Sequence, residues 1–130
     1  MRCLLDTHAL IWFLAGDAQL PRGTSELIED VSNPCFISVV SPWEMTIKVA
    51  LRKLRLPYRC GRDLRRLLDR NEIDLLALEP EDFDALSELP ALHGDPFDRM
   101  IAAQTLRHGF ALISGDEAFD GYGVRREWKP

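Results

Sequence analysis

The sequence predicts a three-layer α/β/α sandwich around a central parallel sheet, and three observations lead there. Four short runs, at residues 3–5, 35–39, 73–78 and 111–114, are apolar on most consecutive positions, as strands are when both of their faces are covered. The segments between them repeat apolar residues at helical spacing. Strands that alternate with helices pair in parallel through right-handed crossovers. The chain has 130 residues, which makes one domain over 1–130 with a single core.

Taken in order, Cys3-Leu4-Leu5 is a strand that ends at Asp6, and the helix after it carries Leu10, Ile11 and Leu14 before Gly16 stops it. A second helix over 21–31 buries Leu27, Ile28 and Val31 and ends at Asn33-Pro34. After the strand at 35–39, Ser41-Pro42-Trp43-Glu44 reads as a cap residue, a proline at the first helical position and an acid that completes a capping box. Trp43, Ile47, Ala50, Leu51 and Leu54 form the expected apolar stripe of that helix. Residues 61–70 place Leu64, Leu67 and Leu68 on one side and arginines on the others, a surface helix with one buried face.

The third strand, 73–78, leads into a helix over 81–89. Asp95-Pro96 opens the next helix, with Asp95 as N-cap, and Phe97, Met100, Ile101, Gln104 and Thr105 share its inner side. Gly109 is its C-cap. The fourth strand ends at Gly115-Asp116, and residues 121–125 are expected to add a short edge strand.

Composition excludes several classes. Cys3, Cys35 and Cys60 are odd in number and widely spaced, which gives neither a disulfide framework nor a zinc pattern. His8 and His108 fall in helices and His93 precedes the loop residue Gly94, so no histidine ligand set is expected. No apolar run approaches a membrane span and the N-terminus does not read as a signal peptide, so a cytoplasmic address without membrane contact is expected.

The net charge of -5 argues against a general nucleic-acid binder. Yet nine of the sixteen basic residues lie between Lys48 and Arg70, whereas residues 72–98 hold no Lys or Arg at all. The basic band suits an RNA backbone, an acidic partner segment or simply solvent.

In parallel sheets, sites form beyond the carboxyl ends of the strands. Asp6 and Asp116 follow strands there and Glu44 opens the helix after the second strand, so three acids share one edge; spacing alone leaves open which edge holds Asp98. Each acid also has a local reading as a helix cap or dipole partner. If the four converge, their mutual repulsion calls for a cation, and an oxygen-only set without Cys or His selects Mg²⁺ or Mn²⁺. The chemistry that follows is metal-assisted phosphoester hydrolysis.

The blocks Leu4-Leu5-Asp6-Thr7-His8-Ala9-Leu10-Ile11-Trp12, Ser41-Pro42-Trp43-Glu44-Met45-Thr46-Ile47-Lys48, Asp95-Pro96-Phe97-Asp98-Arg99-Met100 and Ile113-Ser114-Gly115-Asp116 resemble those of PIN-domain nucleases. They are most similar to the VapC-like toxins of bacterial toxin–antitoxin pairs. The resemblance spans almost the whole chain and implies a PIN-like sandwich in which Asp6, Glu44, Asp98 and Asp116 are the metal-binding and catalytic acids. It further implies endonucleolytic cleavage of RNA, a homodimer, and silencing by a cognate antitoxin. Asp95 is a candidate fifth acid beside its role as a cap. Thr7 and Ser114 are candidates to hold water or carboxylate in place, Lys48 either pairs with Glu44 along the helix or serves the site, and Arg99 is a candidate phosphate contact.

Two rivals of the same fold class lack their residues. A haloacid-dehalogenase-like phosphatase needs a second Asp at position 8, which is His8, and a phospho-accepting receiver needs a Lys soon after a late strand, where none follows Ser114 until Lys129. The rival from another class is a non-cleaving RNA- or protein-binding module on a PIN-like scaffold.

Overall fold

The computed structural model describes residues 1–92 and 94–130; His93, expected in the loop before Gly94, lies outside the described residues. Among these residues five strands form one sheet in the order β3-β2-β1-β4-β5, parallel throughout. They are β1 (Cys3–Leu5), β2 (Cys35–Ser38), β3 (Ile73–Leu76), β4 (Ala111–Ile113) and β5 (Arg125–Glu127). Among the described residues six helices connect them: α1 (Thr7–Ala15), α2 (Arg22–Glu29), α3 (Val40–Ala50), α4 (Arg62–Arg70), α5 (Pro80–Ser87) and α6 (Pro96–His108). A 3-10 helix, Glu117–Tyr122, leads into β5. The α/β/α class expected from the sequence is the one observed.

Side chains alternate across the sheet, which builds two cores. Cys3, Leu5, Ile37 and Ile113 point to the face covered by α1, α2 and α4, where Leu10, Ile28, Leu64 and Leu68 are buried. Leu4 and Leu112 point to the other face, under Met100, Ile101 and Ala103 of α6, with Phe119 and Tyr122 of the 3-10 turn. Gly16 and Gly109 end α1 and α6 in the left-handed conformation, at φ 62° and 68°, which a residue with a Cβ adopts only under strain. Among the described residues no helix is long and apolar enough to cross a membrane.

Three local expectations change. The edge strand begins at Arg125, because residues 117–122 wind into the 3-10 helix that Asp116 caps. In α3, the helix begins at Val40, whose N–H is taken by the buried Ser38 hydroxyl at 3.2 Å. Ser41 is therefore inside the helix and Glu44 is beyond its first turn, so they form no capping box. The apolar stripe of α3 is also not the one expected: Val40, Ser41, Glu44 and Met45 are buried, whereas Trp43 and Leu51 are 60% and 58% exposed. The polar pair Ser41 and Glu44 faces inward because the first half of α3 lies against α1 at the end of the sheet.

The edge that holds Asp98 follows from α5 and α6. Asp82, in the first turn of α5, accepts from Gln104 Nε2 at 3.2 Å and Arg107 Nη1 at 2.8 Å, both near the end of α6. The two helices are thus antiparallel. α5 climbs back to the carboxyl edge, so α6 starts there and descends to feed β4.

Candidate active site

Asp6, Glu44, Asp95, Asp98 and Asp116 line one crevice of about 460 Å³ at the carboxyl edge of the sheet, together with Lys48. Strand order makes this possible. β1 lies between β2 and β4, so the residues that follow these three strands are neighbours in space although they are far apart in sequence.

Asp6 is buried and fixed on both oxygens. Its Oδ1 caps α1 by accepting from Ala9 N–H at 2.7 Å, and its Oδ2 accepts from Ser114 Oγ. Ser114 Oγ in turn accepts the Asp116 N–H at 3.0 Å, so one hydroxyl ties the ends of β1 and β4 together. Burial pushes the Asp6 carboxyl above its usual range, with Ser114 and the Ala9 N–H opposing the rise. Asp116 caps the 3-10 helix through Ala118 N–H at 2.9 Å.

Glu44, only 2% exposed, is held from two sides. Thr7 Oγ1 donates to its Oε1 at 2.7 Å, and Lys48 Nζ lies 2.6 Å from its Oε2. Because Thr7 has one hydroxyl hydrogen and gives it to Glu44, Ser41 Oγ is the donor in its 2.8 Å bond to Thr7. The bond to Glu44 and the field of the acids hold the Lys48 ammonium above its usual pKa.

Asp98 is different. Among the described residues no donor reaches its carboxylate, and its pKa is pushed up to about 7, first by burial and then by Asp95, Glu44, Asp6 and Asp116. Asp95 is the N-cap expected, accepting from Phe97 N–H at 2.8 Å and Asp98 N–H at 3.2 Å. Among the described residues no three acids stand at metal-ligand spacing; Lys48, the hydroxyls and the helix N–H groups meet the charge of Asp6, Glu44, Asp95 and Asp116 only in part.

Arg99 points away from the acids. Its guanidinium donates to the carbonyls of Pro90 and Leu92, each at 3.1 Å, and lies over the Tyr122 ring. It fastens the loop before α6 and does not line the crevice. The arginines of α4 lie outside the crevice as well.

Sequence reasoning did not single out three further residues that line the crevice, His8, Trp12 and Trp128. The i,i+4 spacing of His8 and Trp12, directly after Asp6, is a signal that could have found the first two. Nothing local marks Trp128, which reaches the crevice because the C-terminal tail docks on α2, with the Gly23 and Thr24 N–H groups donating to the carbonyls of Pro130 and Lys129.

Comparison with known proteins accords with this architecture. The chain is 25% identical over 114 residues to ribonuclease VapC22 of Mycobacterium tuberculosis, covering 87% of this chain and 85% of the relative. It superposes on a structure of VapBC2 from Rickettsia felis bound to a promoter DNA fragment with a TM-score of 0.75 and 18% identity, covering 99% of this chain and all of the other. A structure of FitAB bound to the IR36 DNA fragment gives a TM-score of 0.61 at 16% identity, with 96% and 93% covered. Residues 3–124 match the model of the PIN domain family, and with that match over nearly its full length the chain belongs to the PIN domain family and is VapC-like within it.

Proposed function

We propose that this chain is a divalent-metal-dependent endoribonuclease and the toxin of a toxin–antitoxin pair, with Asp6, Glu44, Asp98 and Asp116 as its catalytic acids. One observation carries the reading: acids from separate elements line one crevice, and Asp98 among them is pushed up to about 7 by burial and by the others. Such a cluster is unfavourable without a positive partner.

The donor set fits Mg²⁺ or Mn²⁺, since every acid offers hard oxygen and no Cys lines the crevice. Asp6, Glu44, Asp98 and Asp116 would hold the ion, with Asp95 touching a metal-bound water. When bound, the ion supplies charge stabilisation and an activated water for phosphodiester hydrolysis. The chain's own residues prepare that site. Ser114 sets the rotamer of Asp6 and its distance from Asp116, and Thr7, locked by Ser41, does the same for Glu44. Lys48 balances part of the acid charge.

The curated relative is named a ribonuclease, which supports RNA as the substrate, and the arginines of α4 offer charge for its backbone. A homodimer and a cognate antitoxin are the proposed partners, supported by the VapC likeness and by Trp43, Val49 and Leu51, which are exposed on and just after α3.

The second reading, a non-cleaving binding module, draws on the absence of acids at ligand spacing among the described residues and on the Lys48–Glu44 pair. Incubating the purified protein with RNA and Mn²⁺ or Mg²⁺ separates the two. Cleavage that drops below about 1% in Asp98→Asn, with an unchanged circular dichroism spectrum, supports the nuclease. RNA binding without cleavage in either metal establishes the module.

A further inference from the structure

The crevice that holds the acids is also lined by His8, Trp12 and Trp128. The rings of His8 and Trp12 are 5.6 Å apart and those of Trp12 and Trp128 6.2 Å, each pair tilted, so they make a continuous aromatic wall. Both tryptophans are half-buried: their inner edges pack on the core and the rest lines the crevice. Trp128 rests directly on the acid-bearing turn, since a Cβ at Gly115 would meet its Cε2 at 2.8 Å. Gly115 is thus what allows an indole beside Asp116.

An RNA strand entering this crevice meets repulsion between its phosphates and the acids. Positive charge can act only on the backbone, and an aromatic face adds an uncharged contact that any base can make. Unpaired RNA bases are splayed and stacked on such rings, whereas paired ones are not. The rim also holds Gln19, whose carboxamide has both a donor and an acceptor for a base edge. Trp12 further lines the adjoining groove, where Arg55, Arg66 and Arg70 lie, so a base at Trp12 leaves its backbone near positive charge.

We propose that the Trp12–Trp128 wall is a stacking platform for an unpaired RNA nucleobase next to the scissile phosphodiester. This rests on the nuclease reading and adds to it the residues that receive the base.

The test uses Asp98→Asn protein, which binds without cutting, and three probes: a labelled uridine hexamer, the same ribose-phosphate chain without bases, and a hexamer paired in a duplex. The uridine hexamer is expected to bind about tenfold to a hundredfold more tightly than the abasic chain, and more tightly than the duplex. In a Trp43→Phe background it quenches the fluorescence of the two remaining tryptophans, Trp12 and Trp128, and the abasic chain does not. Trp12→Phe keeps the affinity and Trp12→Leu, which retains apolar bulk, loses about tenfold. Equal binding of hexamer and abasic chain, or fluorescence unmoved by either, in protein whose circular dichroism spectrum matches that of the unmodified chain, overturns the platform. The nuclease reading is judged separately by cleavage in the unmodified protein: cutting with base-independent binding removes only the platform.

Discussion

Asp98 has a carboxyl whose protonation is decided by its surroundings. In the unfolded chain it titrates near the ordinary value of about 3.9, and in the metal-free fold near 7. A carboxyl raised on folding binds its proton more tightly in the folded state. Its contribution is therefore fully present below the unfolded pKa and is lost as pH rises towards 7. Asp98→Asn, neutral throughout, is expected to match the parent near pH 4 and to melt a few degrees higher at pH 8 in chelator, as thermal denaturation at the two pH values would measure. Equal melting at pH 8 would show that burial and the neighbouring acids do not act on Asp98 as described. Ser114 gives a second test. Its hydroxyl holds Asp6 and the Asp116 N–H at once, so Ser114→Ala is expected to weaken Mn²⁺ binding by about 10- to 100-fold, measured by titration calorimetry, and Ser114→Thr to retain most of it.

Helix ends were the most legible elements, because a cap involves residues within four positions of each other. Asp95-Pro96 at the start of α6 and Gly109 at its end are where the sequence predicts them. Asp95→Ala is expected to lose about 1 kcal/mol of stability and Asp95→Asn very little, since Asn caps as well as Asp. Cleavage assays on the Asn variant then separate roles: retained activity makes Asp95 a cap alone, and lost activity makes it a site acid. α3 departs from its local pattern for the reason that α6 follows its own. Ser41 and Glu44 match a capping box, but both bond to Thr7, 34 and 37 residues away. The polar inward face of α3 displaced the apolar stripe that periodicity suggested, leaving Trp43 and Leu51 exposed. Periodicity reports which face is apolar, and only packing reports which face is covered.

Over the molecule as a whole, the acid cluster stores repulsion that a bound cation would relieve. Mn²⁺ at a hundred times its Kd is expected to add about 2.7 kcal/mol, on the order of 10 °C in Tm, with the shift much reduced in Asp98→Asn. A melting temperature indifferent to Mn²⁺ and Mg²⁺ would argue for the binding module. The sequence by itself determined the alternation of strands and helices, the buried runs of the parallel sheet and the ends of α6, because period and capping depend on near neighbours. It also offered Asp6, Glu44, Asp98 and Asp116 as candidates, and all four line the crevice. That Asp98 stands on the same edge as Asp6, Glu44 and Asp116 was decided by the antiparallel α5–α6 pair and by the position of β1 between β2 and β4. The turn of Arg99 to the loop carbonyls and the arrival of Trp128 in the crevice beside Gly115 were likewise decided by the tertiary structure. Such contacts join residues far apart in the chain, and their free energy comes from packing that no local pattern encodes.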